Sequence, residues 1–330
     1  MFRLMDMQKT LRAFMDSVGL GPMAFNPPDF SGLSSKQIAT RLRSSFFKAS
    51  RAVEPDVPQM ADISAHIVDG GDGPLPARLY TPLAAGVGAG PGIVYFHGGG
   101  FVLGDLDSHD IIATRLAHSS RCRVLSVDYR LAPEHKFPAA HADAETAWHW
   151  TIERADMLGM DPERIAVCGD SAGGNLAAFL AQEMNRTGGP MPAYQLLLYP
   201  LVQFVDIRAK KMSFQESGFF ISPALFDYFR DAYIGKETER TDPRVSPLFA
   251  DAEDFAGLPP AHIITCGWDP LQDEGKTYAT KLAAHGVPVT LREHKNMVHG
   301  FMNLTGVLKP ARGAIHEVGA IVGKALGALD

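Results

Sequence analysis

From about residue 63 onward the chain alternates short, nearly continuous apolar runs with longer segments whose apolar positions recur every three to four residues. The short runs are ISAHIVDG at 63–70, ARLYTP at 77–82, GIVYFHGG at 92–99, CRVLSVDYR at 122–130, RIAVCGDS at 164–171, YQLLLYP at 194–200, AHIITCGW at 261–268 and VPVTLREH at 287–294. Several are apolar almost throughout, as strands buried on both faces must be. Helical patterns lie between them at about 107–120, 139–156, 173–186, 271–285 and 309–327. The alternation predicts an α/β fold with a mostly parallel, eight-stranded sheet flanked by helices on both faces.

Two segments break this rhythm. Residues 1–55 open with MFRLMDMQKTLRAFMDSVGL, in which Leu4, Met7, Leu11, Met15 and Val18 fall at helical spacing among charges. That pattern predicts an amphipathic helix, not a signal peptide. Residues 203–245 carry FQESGFFISPALFDYFRDAYIG, rich in Phe and Tyr. Segments 1–55 and 203–245 are expected to form a helical cap, with 56–202 and 246–330 as the sheet domain beneath it. The cap would cover the C-terminal edge of the sheet, where open α/β folds place their ligands. Phe214, Phe219 and Phe220, with Phe226 and Tyr228, are candidates to line the covered pocket; the same aromatics would equally serve as the cap's own core.

Composition narrows the partners. With 330 residues, 46% of them hydrophobic, the chain is long enough for one large core. Its 31 basic and 37 acidic side chains leave a net charge of -6, without a long run of one sign. Neither nucleic acid nor a membrane surface is an expected partner. No stretch approaches the ~18 apolar residues of a bilayer span. Cys122, Cys168 and Cys266 each sit in or beside a strand-like run and read as reduced core residues, which fits a cytoplasmic location. His, Cys and carboxylates show no metal-ligand spacing, so neither metal nor organic cofactor is expected.

The strongest local signal is Gly169-Asp170-Ser171-Ala172-Gly173-Gly174, which follows the apolar Ile165–Cys168 and precedes the helix-like Asn175–Leu180. A Gly-x-Ser-x-Gly between strand and helix is the nucleophile elbow. The turn is so sharp that its flanking positions must be nearly without side chains, and it leaves the Ser171 hydroxyl exposed. The Ala172 N–H and the positive helix end then face the reacting carbonyl. A second glycine-rich turn, His97-Gly98-Gly99-Gly100-Phe101, follows Ile93–Phe96. Its N–H groups suit an oxyanion hole formed by Gly98, Gly99 and Ala172. A phosphate loop is the competing reading, but no P-loop lysine follows. His97 reads as an anchor of this loop.

Taken in order, HGGGF at 97–101, YRLAPE at 129–134, GDSAGG at 169–174, DPLQDE at 269–274 and HGF at 299–301 resemble the signature of the hormone-sensitive-lipase-like (bacterial family IV) esterases of the α/β-hydrolase fold. The resemblance implies Asp269 as the catalytic acid, His299 as the base and a bracing role for YRLAPE. The residues agree: Asp269 follows the apolar Ile263–Gly267, His299 lies in a Gly-flanked loop, and the order Ser, Asp, His is the one this fold uses. Asp273, the rival for the acid, more plausibly opens the next helix beside Glu274. The resemblance further implies a serine carboxylesterase acting on short- to medium-chain acyl esters, with a small-molecule substrate and a possible homodimer through a late sheet edge. Amide, lactone or carbamate hydrolysis with the same triad is the alternative, and a non-catalytic ligand receptor is a further one.

Overall fold

In the computed structural model, which describes residues 4–19, 29–52, 56–69, 72–205 and 221–330, all eight apolar runs become strands of a single sheet. They are β1 (Met60–Val68), β2 (Leu75–Pro82), β3 (Gly90–Phe96), β4 (Arg123–Val127), β5 (Met160–Asp170), β6 (Tyr194–Leu198), β7 (Ala261–Trp268) and β8 (Val289–Val298). The spatial order is β1-β2-β4-β3-β5-β6-β7-β8. Only β1–β2 and β2–β4 pair antiparallel; every other neighbour is parallel.

Strand composition follows strand position. Ile93–Phe96 of β3, Ile165–Cys168 of β5 and Leu196–Leu198 of β6 are fully buried because helices cover both faces. The edge strands β1 and β8 alternate or expose most of their residues, and Arg292, Glu293 and His294 of β8 lie along the outer edge.

Period-two alternation sorts the central strands into two cores. On one face Val94, Phe96, Val167 and Leu197 pack against α4 (Ala139–Glu153) and α5 (Ala172–Thr187). On the other, Ile93, Tyr95, Cys168 and Leu198 meet α3 (Asp110–Ser120) and α8 (Lys309–Ala325). The helix after β3 thus lies on one face and the helix after β5 on the other. Because β3 and β5 are neighbours, their C-terminal ends flank a crevice where the winding reverses, the usual ligand position in such sheets.

Three further helices gather over that crevice: α1 (Leu4–Ser17), α2 (Ser35–Arg51) and α6 (Pro223–Tyr233). α1 buries Met7 and Leu11 at the period its sequence predicts. α2 begins with a capping box in which the Ser34 side chain accepts the Gln37 N–H and Gln37 reaches back to the Ser34 N–H. α6 is capped by Ser222, with Pro223 in its first turn. α7 (Gln272–Ala284) carries Asp273 and Glu274 in its first turn. The three cysteines are free and buried, and no described helix is long and apolar enough to cross a membrane.

Candidate active site

Strand ends deliver the chemistry. Ser171 joins β5 to α5 with φ 55° and ψ −115°, a conformation costing ~1–3 kcal/mol for a residue other than glycine. Its backbone holds the strain: Ser171 N–H donates to Leu198 O at 2.9 Å, and Ser171 O accepts from Asn175 and Leu201 N–H at 3.1 Å. The glycines are sterically required, since a Cβ on Gly173 would lie 1.9 Å from Phe96 O and one on Gly169 2.1 Å from Gly173 O.

Across the crevice, Asp269 follows β7 and His299 follows β8. His299 Nε2 lies 2.8 Å from Ser171 Oγ, and His299 Nδ1 lies 2.8 Å from Asp269 Oδ2. Asp269 Oδ1 accepts Leu271 N–H at 2.8 Å, which fixes the carboxylate plane. With Nδ1–H donating to Asp269, Nε2 is left as the acceptor for the serine hydroxyl. All three side chains are buried, and the Tyr199 ring meets the imidazole in a T-shaped contact at 5.0 Å. Asp273 is exposed on the first turn of α7 and takes no place in this chain of contacts. Its neighbour Glu274 is buried and accepts Val202 N–H and Gln203 Nε2 at 2.8 and 3.0 Å; burial raises its carboxyl well above the ordinary value.

The glycine-rich turn after β3 requires a correction. Gly98, expected as one of the oxyanion donors, gives its N–H instead to Asp170 Oδ1 at 2.8 Å, beside a second bond from Tyr95 OH at 2.6 Å. The elbow's own aspartate occupies the donor that sequence spacing assigns to an oxyanion. Gly99 and Gly100 line the pocket instead, and neither donates its N–H within the described residues. Ala172, as the first residue of α5, has no intrahelical acceptor for its N–H. Tyr129 OH donates to His97 O at 2.6 Å, and Ala132 N–H donates to Phe101 O at 2.8 Å, so the YRLAPE segment braces this turn. His97 is fully buried, stacked on Tyr129 at 4.3 Å, and burial lowers its pKa to about 4. It is a wall of the loop.

Above Ser171 opens a pocket of about 140 Å³, lined by Phe14 of α1, Phe46 of α2, and Leu225, Phe226 and Phe229 of α6, with Phe204 and Leu304 nearer the sheet. Phe226 therefore sits where the sequence suggests, whereas Tyr228 faces Phe30 and donates to Ser35 O at 2.7 Å. Phe214, Phe219 and Phe220 lie outside the described residues. Sequence reasoning missed Phe14 and Phe46: Phe14 stands beside the stripe read from Leu4 to Val18, and Phe46 lies in the part of residues 1–55 for which no periodicity is marked. Among the described residues no group of three or more His, Cys, Asp or Glu is placed to hold a metal.

Residues 93–303 match a family described as having the alpha/beta hydrolase fold. The chain is 44% identical over 249 residues to the carboxylic ester hydrolase LipN of Mycobacterium tuberculosis, covering 74% of this chain and 65% of that protein, just under two thirds of its length. It is 35% identical over 312 residues to an ethyl acetate hydrolase of Pseudomonas putida, covering 93% of this chain and 95% of that one. A solved ester hydrolase from the metagenome of Lake Arreo, complexed with a derivative of bipyridine phosphonate, superimposes with a TM-score of 0.88 at 38% identity over 97% of this chain and 98% of that chain.

Proposed function

The chain belongs to the α/β-hydrolase family, in its hormone-sensitive-lipase-like group, and from that premise we propose that it is a serine carboxylesterase acting through an acyl-enzyme. The observation that carries the reading is the unbroken contact from Ser171 Oγ to His299 to Asp269, both steps at 2.8 Å, at the floor of an apolar pocket. In this reading His299 takes the serine proton as Oγ attacks the ester carbonyl, then returns it to the departing alkoxide. Water, deprotonated by the same imidazole, releases the acid from Ser171. Asp269 holds the tautomer and steadies the imidazolium. The oxyanion is assigned to the N–H groups of Gly99, Gly100 and Ala172.

A volume of about 140 Å³ favours short to medium acyl chains, because a cavity of ~150 Å³ takes a benzene-sized group. Helices α1, α2 and α6 act here as the cap that excludes water from the acyl group. β8, the last strand of the sheet, is the edge through which two copies would pair; a monomeric mass by light scattering would remove that part.

The test is hydrolysis of p-nitrophenyl esters from acetyl to palmitoyl by the unaltered protein and by Ser171→Ala purified in parallel. The expected result is an optimum at short or medium chains that vanishes in the variant. A folded protein inert on every ester would defeat the reading.

A further inference from the structure

The mechanism leaves two buried polar atoms in the pocket without a task. His109, at the start of α3, is 1% exposed, and Asp170, beside the nucleophile, is 2% exposed. Both line the pocket. Asp170 uses Oδ1 for Tyr95 and Gly98; its Oδ2 lies 3.8 Å from His109 Nε2 and accepts no hydrogen bond. That separation is too long for a direct bond, yet it is the span that one oxygen bridges when it touches both atoms at roughly 2.8–3.0 Å. Neither atom is among the buried side-chain atoms that are sealed off without a partner, so both keep access to the pocket. The imidazole is not free to turn elsewhere: Nδ1 lies 3.1 Å from Ser108 Oγ, and the ring is held between Phe46 at 5.6 Å and His97 at 5.1 Å.

We propose that His109 and Asp170 form a recognition subsite for a hydroxyl group carried by the ester substrate. The inference rests on reading this pocket as the ester site of Ser171. Its chemistry is that of a matched pair. Either Asp170 Oδ2 carries a proton and donates while His109 Nε2 accepts, its Nδ1 hydrogen turned toward Ser108, or Nε2–H donates while the carboxylate Oδ2 accepts. One hydroxyl, which accepts and donates at once, satisfies both. Burial lowers the His109 pKa to about 4, so the imidazole enters the pair neutral, and it raises that of Asp170. A hydrocarbon placed between His109 Nε2 and Asp170 Oδ2 leaves both atoms unpaired. A site built for a hydroxyl discriminates more strongly against the analogue lacking it than an apolar pocket discriminates against an added methylene. Asp170 directly precedes Ser171 and lines the same pocket, so the proposal places the hydroxyl near the scissile carbonyl. It belongs to carbon 3 of the acyl chain or to the second carbon of the alcohol.

The experiment compares two matched pairs on the unaltered enzyme: p-nitrophenyl 3-hydroxybutyrate against p-nitrophenyl butyrate, and 2-hydroxyethyl butyrate against propyl butyrate. Each kcat/KM ratio is divided by the ratio of the alkaline hydrolysis rates, which removes intrinsic reactivity. The expected result is a preference of at least about tenfold for the hydroxylated member of one pair, and that pair tells which side of the ester carries the group. The preference should fall toward one in His109→Phe. Ratios near one in both pairs, with the plain esters well hydrolysed, overturn the subsite and leave the esterase reading intact. Failure on all four esters counts against the esterase reading itself. If His109→Phe does not fold, the ratios of the unaltered enzyme still decide.

Discussion

The floor of the pocket and its wall are built on different principles. The floor is Ser171, its two turns and the loops after β7 and β8, held by short directional bonds: Tyr95 and Gly98 on Asp170, Tyr129 on His97 O, Leu271 on Asp269. The wall, α1, α2 and α6, presents mainly Phe and Leu and is tied to the floor at few polar points. Arg43 of α2 donates to Val102 O and Ala132 O at 2.8 Å and pairs with Glu134; His141 bridges Tyr233 of α6 and Asn175 of α5 at 2.7 and 3.0 Å. Proton transfer demands placement within tenths of an ångström, which only directional bonds provide. Acyl selection demands volume, which dispersion contacts supply and which tolerates exchange of one apolar group for another.

The sharpest way to break the comparison is at the floor. His299→Ala should cut kcat on the order of 10⁴- to 10⁶-fold with the thermal midpoint nearly unchanged; a residual rate within tenfold of the unaltered enzyme would remove the imidazole from the mechanism. Gly99→Val comes next. Its Cβ would fall 2.2 Å from Leu103 O at a φ of +117°, so the turn must shift and kcat should drop ~10²- to 10³-fold through misplaced oxyanion donors. A kcat equal to that of the unaltered enzyme would take the turn out of the mechanism.

Acid should loosen both regions together. Burial depresses the pKa values of His97, His109 and His141 from the ordinary 6.5 to about 4, so between these values the unfolded chain binds more protons than the folded one. Their contribution to stability is fully present above pH 6.5 and is lost as the pH falls toward 4. Asp128, pushed up to about 6 by burial, and Asp170 and Glu274, raised by burial as well, take their protons earlier in the folded chain and work against the loss, while His262, lowered to about 4, and His294, also lowered, add to it. Five imidazoles set against three carboxyls leave the loss dominant, and urea midpoints at pH 7.5, 6 and 5 should decline in that order; a flat series would refute the assignment. The smallest effect belongs to the wall. Phe46→Ala should change kcat/KM on butyrate by less than about tenfold while moving the optimum to longer acyl chains, whereas an unchanged chain-length profile would mean that α2 does not bound the acyl site.

Much of the fold is legible in the chain because the interactions that write it are local. Continuous apolar runs such as Ile93–Phe96 become two-faced strands, and the step from period two to period three or four marks each crossover. Gly169 and Gly173 announce a turn that no larger residue permits, so Ser171 stands out from its neighbours alone. Asp269 and His299 stand out by their place after apolar runs and by motif.

What only the tertiary structure decided are pairings between distant residues that many arrangements would satisfy equally well. Gly98 looks as free as Gly99 until Asp170, 72 residues later, arrives to accept its N–H. Phe14 and Phe46 belong to amphipathic helices, and nothing along the chain says whether an apolar side chain there buries against a sheet or lines a pocket. Apolar burial carries no direction, so a sequence specifies that a face is covered far better than it specifies by what.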